Sequence, residues 1–352
     1  MGSVKLILER PVGVIGGGSF GATIAHLLSF NVDVLLYSRN EETVRSINEE
    51  HRWTDIELSD RIRATNDIEE ITQTCHLIFP VVPSMNFRAM IIDFAPYLKP
   101  FHMLIHATKG FGLLGISDEE LSTARMDRSN VRTISEIILE ETCVLRIGCL
   151  SGPNLSKEIL ARQPAAAVIA SKFDEVFQAG RSALDSHLFA VFGSKDIIGA
   201  ELAGALKNII ALASGMLGGL DMGKNIQSML ITRGLREMIY LGKAMGADAK
   251  AFLGTAGIGD LIATATSENS RNYTFGMRMA KGETPDDIIN SQSELTEGVR
   301  TLKIVQQLSK NYKLNLPIMG ILYKVIYESM DIQRSIEILM RFPYSQDVDF
   351  LD

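Results

Sequence analysis

The chain has 352 residues, of which 46% are hydrophobic and 22% charged, and its formal net charge is −7. That length exceeds one simple core and points to two domains, while the composition is that of a compact globular protein. The acidic balance excludes a surface built for nucleic acid or an anionic membrane, but leaves room for a basic pocket that takes a small anion.

Residues 1–10 mix charges and lack the basic start, apolar run and small-residue cleavage site of a signal peptide. The three cysteines, Cys75, Cys143 and Cys149, show no C-x-x-C spacing and cannot all pair internally. A reducing, cytoplasmic setting without a metal centre is therefore expected. Short β-branched runs at 12–15, 32–37, 77–82, 103–107 and 144–150 alternate with helical segments, the pattern of a parallel doubly wound sheet. Residues 165–170 and 188–192 are candidates for two further strands at the far edge.

The first strand runs into Gly16-Gly17-Gly18-Ser19-Phe20-Gly21, a G-x-G-x-x-G, and an amphipathic stretch follows at 22–29. Gly16 permits a tight turn, Gly18 lets a diphosphate approach the backbone, and Gly21 lets helix and strand pack closely. The helix N–H groups then face the anion. Between a strand and a helix this motif signals a dinucleotide site, whereas by itself it is only a glycine turn. The second strand ends at Tyr37-Ser38-Arg39. An arginine there can pair with the 2′-phosphate of NADP, which tilts the coenzyme reading from NADH toward NADPH. The plain alternative is a solvated loop arginine stacked on adenine.

Lys109-Gly110 follows the strand at 103–107, at the carboxyl end of the sheet where ligand crevices form, so Lys109 is placed to reach substrate or cofactor. The segment 112–141 carries two helix starts around a charged middle, reads as an exposed excursion, and suggests no chemistry. After about residue 196 strand signals give way to long helical stretches. The expected architecture is an α/β Rossmann-type dinucleotide-binding domain over 1–196 followed by an all-α substrate-binding and catalytic domain over 197–352.

The apolar run 199–220 is about the length of a membrane span, but it contains Glu201, Lys207 and Asn208 and reads as a helix buried in protein. Lys207 sits on an otherwise small and apolar face, shielded from water in a setting where a lysine exchanges protons. Asn208 beside it can hydrogen-bond a substrate or its partner lysine. A lysine that snorkels to the domain edge is the bland alternative. Further on, Asp260 ends Gly257-Ile258-Gly259-Asp260 and shares a helix face with Thr264; an aspartate after glycine also reads as a helix N-cap. Ser270-Arg271-Asn272 combines a cap with a bidentate clamp, a phosphate site or else a solvated turn. Pro285 and Pro317 mark helix starts or breaks. The stretch Leu295-Thr296-Glu297-Gly298-Val299 is a candidate contact for a nicotinamide carboxamide.

Taken together with Ser151-Gly152-Pro153-Asn154, Asn225 and Thr232-Arg233-Gly234, these motifs occur in an order that resembles the NAD(P)-dependent glycerol-3-phosphate dehydrogenase family over nearly the whole chain. The resemblance implies reduction of dihydroxyacetone phosphate to sn-glycerol 3-phosphate, a step that feeds glycerophospholipid synthesis. It implies Lys207 as proton donor in that direction and acceptor in reverse, with Asp260, Asn208 and Thr264 around it. Lys109 would touch both substrate and cofactor. Asp260, Arg271 and Asn272 would bind glycerol 3-phosphate, with Gly152, Asn154 and Ser270 contributing. Gly16, Gly18, Ser19, Phe20, Gly21, Arg39, Lys109, Ser156, Arg271, Leu295 and Glu297 would lie against the cofactor. The chain departs from the pattern in carrying Asn154 where many bacterial members have serine or threonine, Ser156 for a common alanine, and a long excursion at 112–141. A homodimer follows by analogy only. The competing expectations are a β-hydroxy acid or ketopantoate-type dehydrogenase, or an NADPH sensor without turnover.

Overall fold

A computed structural model of the chain describes residues 9–122, 126–291 and 296–342. It divides into two compact units, Met1–Gly112 with Thr133–Ile197, and Leu113–Arg132 with Ile198–Asp352.

The first unit is built on an eight-stranded sheet: β1 (Val12–Ile15), β2 (Val34–Tyr37), β3 (Ile62–Thr65), β4 (Leu77–Pro80), β5 (Met103–His106), β6 (Arg146–Ser151), β7 (Ala165–Ser171) and β8 (Phe189–Ser194). Across the sheet the order is β8-β7-β6-β5-β4-β1-β2-β3. Every residue of β1, β2, β4 and β5 is buried, because helices cover both faces of a parallel sheet and leave no side for water. That double burial is why these strands read as continuous apolar runs. The order reverses at β1, so the crevice between the carboxyl ends of β1 and β4 is where a doubly wound sheet receives its ligand. Two strands do occupy the far edge. β7 runs antiparallel to β6, and β8 pairs parallel with β7 after the helix Asp174–Leu184. The apolar core joins Val14, Leu36, Phe79, Ile105, Leu150 and Ile169 to Ile24, Val176 and Phe189.

The strand β3 lies outside the runs read from the sequence. It is four residues long, pairs only with β2, and turns Arg63 to solvent. An edge strand this short carries only a brief alternation, buried Ile62 and Ala64 on either side of exposed Arg63.

The second unit packs helices around Ile197–Gly219, whose mean hydropathy of 1.4 and length would suit a membrane, yet 89% of its apolar window is buried inside the protein. Its neighbour Arg271–Ala280 crosses it at backbone distance. A Cβ placed on Gly215 would lie 1.9 Å from the Tyr273 carbonyl oxygen, and one on Gly276 would lie 1.9 Å from that of Leu212. Pro285 and Pro317 each open a helix, Pro285–Ser291 and Pro317–Tyr327.

Unlike the contiguous division expected, 1–196 and 197–352, the segment 113–132 groups with the helices rather than with the sheet. Polar bonds within the second unit hold it there. Asp118 pairs with the buried guanidinium of Arg300, and Asn311 donates from Nδ2 to the Met126 carbonyl. Leu114 N–H also donates to Asn130 at 2.8 Å, closing the segment on itself.

A buried carboxyl holds a helix start. Glu237, on Lys224–Ala244, accepts from the backbone N–H groups of Ile318 at 2.7 Å and Met319 at 3.0 Å. These are orphan donors that Pro317–Tyr327 cannot satisfy internally. Burial pushes this carboxyl up to about 8, against the opposing pull of the two N–H donors and the Arg236 charge. Unfolded, the group ionises near 4.5. Between those values the folded chain keeps a proton that the unfolded chain has lost, so this stabilising contribution is complete below 4.5 and declines as pH rises toward 8. Urea unfolding across that window is expected to show the decline, with Glu237→Gln reducing it by at least about 1 kcal/mol. Equal slopes for the two proteins would show that Glu237 binds no extra proton.

Candidate active site

The glycine loop sits at the carboxyl end of β1. Gly16 has φ +126°, and a Cβ there would meet the Val81 carbonyl oxygen at 2.2 Å. A Cβ on Gly21 would fall 1.8 Å from the Gly16 oxygen, so the helix can enter this close to the strand only with glycine at that position. Gly18 differs, since a Cβ there would meet nothing within 4 Å. The helix Ser19–Leu28 begins behind it with Gly18 at the N-cap, no side-chain cap and no acidic residue in its first turn. An uncapped helix start beside open space is a cradle of N–H donors with positive dipole character, suited to a diphosphate.

One neighbour of this loop was not visible in the sequence. Trp53, on the hairpin formed by Arg52–Trp53 and Ile56–Glu57, donates its indole N–H to the Gly17 carbonyl at 2.8 Å. A lone tryptophan in a polar stretch gives no sign of its partner 36 residues earlier. Arg39 is exposed on the turn after β2, between Ser38 and Asn40. The side chain of Asn40 caps Glu41–Glu50.

Lys109 follows β5 and is half-buried. Its Nζ donates to Asn154 Oδ1 at 2.9 Å and lies 3.3 Å from the Gly152 carbonyl oxygen. Gly152 takes φ +135°, turning the chain after β6 so that its carbonyl and Asn154 face the same amine. The buried Asn154 Nδ2 has no hydrogen-bond partner among the described residues. A buried donor left open costs about 1–3 kcal/mol, which a ligand oxygen would recover. Ser156 is the first residue of Ser156–Leu160 and is half-buried.

The helical unit carries the other cluster. Lys207 is 3% exposed on Ile197–Gly219, and its Nζ bonds Asp260 Oδ1 and, at 2.6 Å, Thr264 Oγ1. Asp260 is fully buried. It does not serve as the helix cap that the sequence allows. Gly259 occupies the N-cap position, and the Asp260 carboxylate, one residue inside the helix, turns to the lysine. The snorkelling alternative for Lys207 is likewise excluded by its burial. A single π-helical turn, Thr255–Gly259, leads into Asp260–Ala265, an irregularity frequent at functional sites.

Two residues absent from the sequence-based set brace the far end of that short helix. Ser214 Oγ donates to the Ala265 carbonyl, and Gln227 Nε2 donates to Ser214 Oγ at 2.9 Å. Ser214 is two turns beyond Lys207 on the same helix, so one face grips both ends of Asp260–Ala265.

Asn208 and Asn272 meet, with Asn272 Nδ2 donating to Asn208 Oδ1 at 3.0 Å. Ser270 caps Arg271–Ala280 by accepting from Tyr273 N–H at 3.3 Å, and Arg271 stands exposed at the first helical position. Glu297 opens Glu297–Asn311 and is half-buried, while Leu295 lies outside the described residues. Thus Lys109, Gly152 and Asn154 converge in one unit; in the other, Lys207 meets Asp260 and Thr264, and the adjacent Asn208 meets Asn272.

A profile described as the NAD-dependent glycerol-3-phosphate dehydrogenase N-terminus matches residues 11–177, and one described as its C-terminus matches 196–337. The chain belongs to this family. A glycerol-3-phosphate dehydrogenase [NAD(P)+] from Pseudomonas savastanoi pv. phaseolicola is 36% identical over 97% of both chains. Its counterpart in Staphylococcus haemolyticus is 34% identical over 93% of this chain and 96% of that one. Among solved structures, a glycerol-3-phosphate dehydrogenase from Coxiella burnetii superposes with TM-score 0.84 at 27% identity, covering 94% of this chain and 99% of that one. A ketopantoate reductase from Ralstonia eutropha reaches TM-score 0.55 at 12% identity, a likeness of fold alone.

Proposed function

We propose that this chain is a dehydrogenase that uses NAD(P)H to reduce dihydroxyacetone phosphate reversibly to sn-glycerol 3-phosphate. The observation that carries the reading is the buried Lys207 amine, held by Asp260 and Thr264 within a chain that matches the family along its length. When bound, the reduced nicotinamide supplies the hydride. The residues of the glycine loop fit its diphosphate, since Gly18 leaves the approach clear and the first turn of Ser19–Leu28 offers uncapped N–H groups.

In the proposed mechanism Lys207 gives a proton from Nζ to the ketone oxygen as the carbonyl carbon is reduced, and takes it back in the reverse direction. Asp260 and Thr264 aim that nitrogen. Positive charge beside the developing alkoxide stabilises the transition state more than the neutral ketone, which is how such a group accelerates the step. Asn208 donates to a substrate oxygen, Lys109 with Gly152 and Asn154 contacts substrate and cofactor, and Arg271 with the Ser270-capped helix start binds the phosphate. Ser19, Phe20, Ser156 and Glu297 contact the cofactor. NADPH is the preferred coenzyme in this reading, because Arg39 offers an exposed guanidinium after β2 where a 2′-phosphate would sit. A cytoplasmic location is supported by three free thiols, and a homodimer by analogy with the family.

Following the NAD(P)H absorbance with dihydroxyacetone phosphate, using both coenzymes side by side, tests the reaction and the preference together. No consumption with either coenzyme would overturn the reaction. Arg271→Ala is expected to raise the KM for dihydroxyacetone phosphate at least about tenfold with a smaller change in kcat, as loss of a bidentate phosphate contact does. An unchanged KM would place the phosphate elsewhere. Gly21→Ala drives a methyl group against the Gly16 oxygen, and NADPH affinity by fluorescence titration is expected to fall at least about tenfold. Unaltered affinity would remove the glycine loop from cofactor binding.

A further inference from the structure

We propose that Gly298 is a positioning residue, whose backbone N–H sets the polarity of a two-amide relay ending on Asn208, so that Asn208 presents a hydrogen-bond donor to the substrate. The inference rests on the reading of the Lys207 cluster as the substrate site, and adds how one of its groups acquires its direction.

An asparagine amide can turn over at little cost in shape, exchanging donor for acceptor. A backbone N–H has no such freedom, because it only donates. Gly298 N–H donates to Asn272 Oδ1 at 2.9 Å. With that oxygen fixed, the other end of the Asn272 amide is Nδ2, which donates to Asn208 Oδ1 at 3.0 Å. The Asn208 oxygen is thereby engaged, and its NH2 group is what remains. The one bond shown for that nitrogen runs to the Gly204 carbonyl at 3.5 Å, the far limit of such a contact, so an N–H donor is left to offer. All three partners are buried, where an unpaired donor or acceptor is costly, so turning either amide is penalised.

Glycine at 298 is what lets the relay form. A Cβ there would lie 2.5 Å from Asn272 Oδ1 and 2.7 Å from the Asn208 backbone oxygen. The position also suits the role in helix terms. Gly298 is second in Glu297–Asn311, where the N–H has no partner within the helix, and Thr296 supplies no side-chain cap. Asn272 satisfies that orphan donor from another helix and passes its polarity on. The group that would meet Asn208 is an acceptor, an alkoxide or hydroxyl oxygen or a phosphate oxygen of the substrate.

The test is a double-mutant cycle of Gly298→Ala and Asn272→Ala, read on kcat/KM for dihydroxyacetone phosphate and on NADPH affinity by fluorescence. Each single variant is expected to lower kcat/KM at least about tenfold, mainly through KM, with NADPH affinity held within about twofold. Because both break one chain of bonds, the double variant is expected to be no worse than the poorer single one. Losses that multiply, or a Gly298→Ala enzyme with an unchanged KM, would overturn the relay. Should Gly298→Ala fail to fold, Asn272→Asp takes its place. It keeps an oxygen for the Gly298 N–H and removes the donor to Asn208, so the same loss in KM is expected and its absence overturns the proposal. Dihydroxyacetone without its phosphate, run in parallel, tells which oxygen Asn208 meets. A wild-type enzyme without turnover would strike the proposed reaction instead. The relay is then judged by urea unfolding of the same variants, where overlapping losses uphold it and additive losses sink it.

Discussion

Replacing Lys207 with alanine is expected to lower turnover of dihydroxyacetone phosphate at least about a hundredfold, the scale on which general acid–base groups act. Lys207 is 3% exposed and its amine reaches both Asp260 and Thr264, so bulk water is poorly placed to take over its proton transfer. Its neighbours along the buried face, Ala203, Gly204, Ile210 and Ala211, carry no group that could replace it. The loss should appear in kcat and kcat/KM alike, because the interaction matters most when charge develops on the ketone oxygen. Lys207→Met, which keeps much of the volume, serves as the control for packing and should be as inactive as the alanine variant. Near-normal turnover in either, with cofactor affinity intact, would take Lys207 out of the mechanism.

Asp260→Ala is expected to act on stability as well as on rate. Removing one partner of a buried ion pair strands the other, at a cost of about 3–5 kcal/mol. Urea unfolding should show that loss, and turnover should fall alongside it because Lys207 no longer has a fixed direction. The pair itself contributes little net stability, since both charges give up hydration to form it. Joining Lys207→Met to Asp260→Leu should therefore restore most of the lost stability while leaving the enzyme inactive. A doubly substituted protein less stable than Asp260→Ala would show that the ion pair stabilises the fold in its own right.

Much of this arrangement was legible in the residues. The glycine loop could be placed because a turn, an approach and a close crossing each demand glycine at a definite spacing, and Gly16, Gly18 and Gly21 meet those demands in turn. Lys207 stood out because a cation among alanine, glycine and isoleucine is costly unless something answers it, and Asp260 does so 53 residues later. What stayed hidden depends on partners far off in sequence. Trp53 reveals its bond to Gly17 only once the hairpin is folded. Ser214 and Gln227 are ordinary polar residues until both are seen on the Ala265 carbonyl. The strand β3 was too short to announce itself, four residues with the charged Arg63 among them. The aspartate after Gly259 offered a local role as a cap, and a tertiary partner prevailed over it.

The route of the backbone between the two units has a practical consequence. It passes at 112–113 into the helical unit, returns at 132–133, and leaves again at 197–198. The helical unit is therefore not a contiguous stretch that can be excised. A fragment begun at residue 198 would lack Asp118, the carboxylate that meets Arg300 on Glu297–Asn311. A single proteolytic cut between 197 and 198 would still leave the units joined through the earlier passages. Shuffling this module among related enzymes would need two splice points for the insert and a third for the body, chosen together.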